Sequence, residues 1–182
     1  AFQTPQQIKT IINQWKVQQN IDIVIIDYLQ QIKPNYQRER YDLEIGALSN
    51  DLRIFAKETG TPIIILSQLN REVERRQYSR PLISDLKESG SIEQDAKTIL
   101  LLYYPFKYGI NPRSLTYAET FDLNLDKYSD EKGNKIVNEE YYNIIIGKAR
   151  SGRTGNVHLK FLPQFSKYEE ISQFNDRYTE KE

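Results

Sequence analysis

The side chains best placed for chemistry begin at an aspartate. The run Ile21-Asp22-Ile23-Val24-Ile25-Ile26-Asp27-Tyr28-Leu29-Gln30 is apolar and β-branched until it stops on Asp27. A short run of this kind reads as a parallel strand buried on both faces. A carboxylate just past its carboxyl end sits where open α/β sheets place their ligand sites. In nucleotide hydrolases that carboxylate holds the Mg²⁺ of a bound triphosphate, usually through water, while a Gly-rich loop cradles the phosphates. No segment of this chain reads G-x-x-x-x-G-K-[ST].

Three further places carry chemistry. Thr61-Pro62-Ile63-Ile64-Ile65-Leu66-Ser67-Gln68 is a second apolar run ending in polar side chains. If the two strands are neighbours, Gln68 shares a sheet edge with Asp27, where its amide suits a γ-phosphate or an attacking water. Asp85-Leu86-Lys87-Glu88-Ser89-Gly90-Ser91 puts a base and small residues at a helix start, where free backbone amides bind phosphate. Lys148-Ala149-Arg150 follows an apolar strand and precedes Ser151-Gly152-Arg153-Thr154-Gly155. Alternation puts Lys148 and Arg150 on one side if the strand runs that far, and two cations on a tight loop suit charge developing on a transferring phosphate. Each place also has a plain structural reading: a strand-end cap, an ordinary helix start, a basic turn. His158, the one histidine, is expected at an exposed sheet position and is assigned no role.

The elements that would hold these residues follow from the pattern. Thr4-Pro5 reads as an N-cap with proline in the first turn, and Ile8, Ile11, Ile12 and Trp15 recur at helical spacing. Lys33 to Arg40 is a polar loop. A second amphipathic helix spans Tyr41 to Glu58, with Leu43, Ala47, Leu48, Leu52 and Phe55 on its core face and Thr59-Gly60 closing it. Helix, strand, helix, strand is the order of an α/β fold with a parallel sheet and crossover helices. Thr98 to Tyr104 is a third strand. Tyr141 to Lys148, Asn156 to Leu162 and Phe165 to Ile171 are expected as an antiparallel set. Pro105 to Asn138 is expected as a surface insertion or extended hairpin with a turn at Asp130-Glu131-Lys132-Gly133, and 175–182 as a frayed tail.

Composition narrows the class. Charged residues make up 27% and hydrophobic residues 38%, which suits one globular domain or a large piece of one. No apolar run approaches the roughly 20 residues needed to cross a membrane. Cysteine is absent, so disulfides, thiolate zinc sites and cysteine nucleophiles are excluded. The formal net charge is zero, which argues against broad non-specific DNA affinity but not against a narrow surface of amides and a few bases. The basic clusters Arg71 to Arg80 and Lys148 to Arg153 are such local bases.

Taken together and in this order, the segments resemble the C-terminal motor domain of the DnaB-type replicative DNA helicases. Ile25-Ile26-Asp27-Tyr28-Leu29-Gln30 is similar to the family's Walker B strand. Ser67-Gln68-Leu69-Asn70-Arg71-Glu72-Val73-Glu74-Arg75-Arg76 resembles its third motif. Arg80-Pro81, Ser84-Asp85-Leu86 and Glu88-Ser89-Gly90-Ser91-Ile92-Glu93-Gln94-Asp95-Ala96 resemble its fourth. Lys148-x-Arg150, with Gly152 and Thr154-Gly155, resembles its lysine and arginine fingers.

The resemblance implies a RecA-like P-loop NTPase core over 1–174, with ATP and Mg²⁺ as cofactors. It implies a homohexameric ring that moves 5′ to 3′ on single-stranded DNA at the replication fork, with ATP sites between subunits. Asp27 would help bind Mg²⁺, through water, and Gln68 would couple nucleotide state to the DNA loop. Lys87, Glu88, Ser89 and Gly90 would lie at the DNA backbone, and Lys148 and Arg150 would act on a neighbour's nucleotide. The family's phosphate loop and catalytic glutamate are expected upstream of Ala1. So is the helical domain through which primase, and by expectation the helicase loader, would be met in a primosome. A bacterial cytoplasm (nucleoid) or a plastid is implied, with no membrane partner. Lys87 stands where arginine is usual, Gln31 where an apolar residue is usual, and Arg153 where proline is usual. The alternative readings are a non-enzymatic module for single-stranded DNA binding or ring assembly, and a RecA-type recombinase relative.

One outcome follows from sequence alone. These 182 residues by themselves are expected not to hydrolyse ATP, since neither phosphate loop nor catalytic glutamate is among them. Phosphate release above background from this chain alone would overturn that.

Overall fold

The computed structural model describes residues 4–33, 41–86, 90–130 and 132–173. They divide into two compact units, Ala1–Arg71 with Leu82–Lys97, and Glu72–Pro81 with Thr98–Glu182.

The first unit is built on one parallel strand pair. Helix α1, Pro5–Gln18, starts at a complete capping box: the Gln7 amide N–H donates to Thr4 Oγ1 at 3.3 Å and the Thr4 N–H to Gln7 Oε1 at 2.8 Å. Strand β1, Val24–Ile26, pairs in parallel with β2, Ile63–Ile65, matching Val24 to Ile63, Ile25 to Ile64 and Ile26 to Ile65. A parallel pair needs a crossover, and helix α2, Tyr41–Thr59, supplies it. Gly60 ends α2 in the left-handed region at φ 65°, the conformation an L side chain resists. Lys16 then ties the end of α1 to this junction, donating to the Thr59 carbonyl and, at 2.8 Å, to Thr61 Oγ1. A short helix α3, Gly90–Asp95, belongs to the same unit.

Leu29, Ile32, Ile45, Leu48 and Leu52 form this unit's core, with Ile8, Ile26, Ile65 and Ile92 packed against it. The expected strand burial on both faces is met on one face only: among the described residues, Ile25 and Ile64 are 63% and 49% exposed. Alternation explains this, because the helical layer meets Ile26 and Ile65 and their neighbours point the other way. Leu43, expected in the core face of α2, is also exposed. It precedes buried Ile45 by two residues, about 200° around the helix.

The second unit is an antiparallel sheet in the order β3-β5-β6-β7: Thr98–Tyr103, Tyr141–Ala149, Gly155–Leu162 and Lys167–Glu170. The C-terminal strands are therefore antiparallel as expected, and Thr98–Tyr103 joins them at the edge beside β5. Parallel pairing covers three residues of each first-unit strand, so most described strand structure is antiparallel.

Pro105 to Asn138 is not a surface insertion or an extended hairpin. It folds as helix α4, Leu115–Phe121, short 3-10 turns and strand β4, Tyr128–Ser129, which pairs with β8, Ser172–Gln173. Tyr117, Leu123, Leu125 and Ile136 from this stretch join Tyr103, Tyr141 and Ile171 as the unit's core. Polar sequence hid this, because one tyrosine and three aliphatic side chains at irregular spacing supply the buried volume. The expected turn is present: Asp130 Oδ1 accepts from the Lys132 and Asn134 amides at 3.0 and 2.8 Å. The tail 175–182 lies outside the described residues, and no helix among those described is long and apolar enough to cross a membrane.

Buried Asp130 also accepts from Lys160 Nζ at 3.1 Å, and Glu140 lies 3.4 Å from the same ammonium. Burial alone would push the Asp130 carboxyl up. Hydrogen bonds from the Asn134 backbone, Lys160 and the Asn134 side chain outweigh it and hold the carboxyl well below its ordinary value. Replacing Lys160→Met strands this carboxylate and is expected to cost about 3 kcal/mol in urea unfolding. A carboxyl whose folded value is depressed contributes stability above its unfolded value, about pH 4, and loses it as pH falls further. The gap between wild type and Asp130→Asn should therefore be constant near neutrality and close in acid. A gap that widens below that pH contradicts this account.

Candidate functional site

Parallel pairing carries the chain ends of β1 and β2 to one edge. The Leu66 amide donates to the Ile26 carbonyl at 3.0 Å, and the Leu29 amide donates to the Leu66 carbonyl at 2.9 Å. The two segments thus stay hydrogen-bonded past the strands, with a one-residue slip after Ile26, and Asp27 and Ser67-Gln68 follow at the same end of the strand pair. Asp27 is exposed, and no hydrogen bond or ion pair holds its carboxylate among the described residues. Gln68 is exposed too. Between them lies Gln30, whose Nε2 donates to Ser67 Oγ at 3.2 Å and whose Oε1 accepts from the Gln68 amide at 3.5 Å. The second bond is long, so Gln30 holds Ser67 more firmly than Gln68.

Asp27 suits a hydrated divalent cation. Mg²⁺ keeps much of its water and takes one or two carboxylates, with substrate phosphates completing the shell. A single open carboxylate at a sheet edge matches that need. No group of three or more acidic, histidine or cysteine side chains among the described residues offers an all-protein cage.

The segment after Gln68 is tied to the next motif. Leu69 bridges Leu86, and the Asn70 amide donates to the Asp85 carbonyl at 2.6 Å. Asp85 is buried, and its Oδ2 accepts from the Leu82 amide at 2.7 Å. Asp85 thus shapes the turn that leads into the candidate DNA loop. Lys87, Glu88 and Ser89 lie outside the described residues. Gly90 is exposed at the first position of α3, which Arg53 of α2 holds through Asp95 at 3.1 Å.

Lys148 and Arg150 belong to the second unit. Lys148 pairs across from Ile99, and the register slips between Ile99 and Leu100, leaving Gly147 as a bulge. The strand ends at Ala149, so Arg150 sits in the turn and strand alternation does not set its direction. Arg150 is exposed and Lys148 half-buried. The structure brings Asp27 and Gln68 to one edge of one unit, and Lys148 and Arg150 to one hairpin of the other.

Several residues escape a reading of the sequence alone. Gln30 and Asp85 stand there only as parts of motifs, and their side chains' partners depend on tertiary register. His158 is not an exposed sheet position: its Nδ1 shares a 2.8 Å hydrogen bond with the Tyr141 hydroxyl, and its ring stacks on the Tyr141 ring. Burial, with the nearby Arg80 charge, pushes its imidazole down to about 4, so it is neutral at physiological pH. Strand alternation correctly puts it on the face opposite Val157 and Leu159; that face is the packed one.

A family model described as the DnaB-like helicase C terminal domain matches residues 2–170. The replicative DNA helicase DnaB of Rickettsia bellii is 36% identical over 165 residues, covering 91% of this chain and 32% of that protein. Among solved structures, an ATPase domain aligns with a TM-score of 0.71 at 30% identity, covering 94% of this chain and 53% of that one. A DnaB-like replicative helicase, solved with its interactions with primase, aligns at 0.69 and 32% identity, covering 92% of this chain and 36% of that one. The chain spans about a third of the length of the curated relative it matches.

The packing of α3 against α2 depends on a missing side chain. A Cβ at Gly46 of α2 would meet Ser91 Oγ at 2.5 Å and Ser91 Cβ at 3.0 Å. The hydroxyl can turn away; the Cβ cannot. Gly46→Ala is therefore expected to destabilise by about 1–2 kcal/mol through overpacking, despite alanine's better helix propensity. Adding Ser91→Gly should restore the urea midpoint, and an unchanged midpoint in the double variant would refute this packing.

Proposed function

This chain belongs to the DnaB-like helicase C terminal domain family, and from that premise we propose that it is the C-terminal part of an ATP-dependent replicative DNA helicase. The observation that carries the site assignment is the register at the end of β1 and β2, which puts an open carboxylate and a free-standing amide on one edge. Asp27 orients the water shell of Mg²⁺. The bound ion supplies charge neutralisation to the triphosphate. Gln68 hydrogen-bonds the γ-phosphate or the attacking water, with Gln30 steadying the loop beside it through Ser67.

Lys148 and Arg150 stabilise charge on the phosphates bound by a neighbouring subunit, which requires an assembly of subunits, and the family resemblance makes that assembly a homohexameric ring. Lys87, Glu88, Ser89 and Gly90 hold the backbone of single-stranded DNA, mainly by main-chain amides, which is compatible with a net charge of zero. The complete protein unwinds the fork 5′ to 3′, meets primase and a helicase loader, and works in a bacterial cytoplasm, at the nucleoid, or in a plastid.

The test uses the protein encoded by the complete reading frame. It should displace a strand from a 5′-tailed fork with ATP and Mg²⁺. Arg150→Ala should lower ATP turnover on the order of 1000-fold, as loss of an arginine finger does. Asp27→Asn should raise the Mg²⁺ concentration needed for half-maximal turnover. Wild-type turnover in the Arg150→Ala protein would refute the finger. DNA binding without any ATP turnover would favour the non-enzymatic reading.

A further inference from the structure

The hairpin that carries Lys148 and Arg150 has an anchor outside the sheet. Segment Glu72–Pro81, which follows Gln68 closely in the chain, belongs to the same compact unit as that hairpin. It holds an unfavourable backbone: Tyr78 and Ser79, neither of them glycine, take φ 65° and 44°. Consecutive left-handed residues persist only where their surroundings over-determine them. Here the Tyr103 hydroxyl donates to the Tyr78 carbonyl. The Tyr78 ring meets Tyr117 and Phe121 edge-on at 5.2 and 5.6 Å. Arg76 Nη1 donates to the Arg80 carbonyl at 3.0 Å, and Ser79 N–H to the Arg76 carbonyl at 2.9 Å.

These contacts hold the backbone that leads into Arg80. Arg80 lies over the Phe121 ring at 4.5 Å and near the Tyr103 ring at 5.6 Å. Its Nη2 donates to Asn156 Oδ1 at 2.6 Å, and that oxygen also accepts from Asn143 Nδ2 at 3.3 Å. Asn143 is almost wholly buried on β5, and Asn156 is the second residue of β6. Asn156, opposite Ile145 and one pair from the last rung, therefore sits at the base of the loop that carries Lys148 and Arg150, just before β5 bulges at Gly147. A planar cation held against aromatic rings loses little freedom when it makes a further hydrogen bond, which makes Arg80 a stiff brace.

We propose that Arg80 is a positioning residue for ATP hydrolysis, bracing the β5–β6 hairpin through Asn156 so that Arg150 reaches a neighbour's nucleotide in one geometry. The proposal rests on the finger reading of Arg150. Arg80 itself touches no reacting atom. Lysine in its place keeps the charge but neither the flat face nor the fork, so Arg80→Lys should behave as a loss.

The experiment uses the protein of the complete reading frame with Arg80→Ala, Arg80→Lys, Asn156→Ala and Arg150→Ala. In the first three, hydrogen exchange of the 148–156 amides should quicken by about tenfold or more while exchange in α1 and α2 stays unchanged. Turnover at saturating ATP should fall about tenfold with the ATP KM held within about twofold, because a transition-state contact is loosened and not binding. Adding Arg80→Ala to Arg150→Ala should lower turnover no further, since both act through one contact. Asn156→Ala leaves both aromatic faces intact, so it reports on the brace even where Arg80→Ala weakens the fold. Unchanged exchange at 148–156 in Asn156→Ala and Arg80→Lys, or an Arg80→Ala loss that is additive with Arg150→Ala, overturns the proposal. If Arg150→Ala alone leaves turnover intact, the finger reading fails, and quickened exchange would then leave Arg80 as a structural brace only, which also overturns its part in catalysis.

Discussion

Two parallel strands cannot be closed by a tight turn, and that constraint shapes the first unit. The chain must travel back along the sheet before the second strand begins, and α2 is that return path. Because both strands then run the same way, their carboxyl ends arrive at one edge without any further instruction. The isoleucines of β1 and β2 set the register, and the register delivers Asp27 and Gln68. Gln30 adds the last adjustment, linking the turn after β1 to Ser67. The chemistry of that edge is thus a consequence of strand direction more than of any local fold.

The second unit solves a different problem. Its core buries three tyrosines among four aliphatic side chains, and each brings a hydroxyl that must be satisfied or shielded. Burial raises the phenol of Tyr103 and of Tyr141 well above the ordinary tyrosine value, so both stay neutral. Tyr103 spends its proton on the Tyr78 carbonyl and Tyr141 meets His158. Burial, with the Arg80 cation in the same neighbourhood, keeps the His158 imidazole from charging. A polar network of this kind specifies one arrangement because each unmet partner is costly in a low-dielectric interior. The Asp130–Lys160 pair does the same at the turn between β4 and the following bridge.

Where the sequence misleads, the reason is periodicity applied without a layer to face. Ile25 and Ile64 belong to apolar runs that read as buried on both sides, yet the described helices pack only on the Ile26 and Ile65 side. Pro105 to Asn138 reads as polar surface because its core side chains, Tyr117, Leu123, Leu125 and Ile136, follow no simple period. Their burial is created by packing between α4, the short turns and the sheet. Alternation places His158 on the right face of β6, but which face packs is a tertiary property.

The cap of α1, the helical spacing of α1 and α2 and the apolar runs that stop just before Asp27, Ser67-Gln68 and Lys148 were written in local sequence. Each rests on interactions between residues close in the chain or on a period of two or 3.6. Only tertiary structure decided that Gln30 reaches Ser67, that Asp85 ties the third motif to the fourth, and that Arg80 braces Asn156 across 76 positions of chain. These are pairings of single polar atoms between distant segments. No periodicity announces them, because their partners are chosen by how the strands and turns come together.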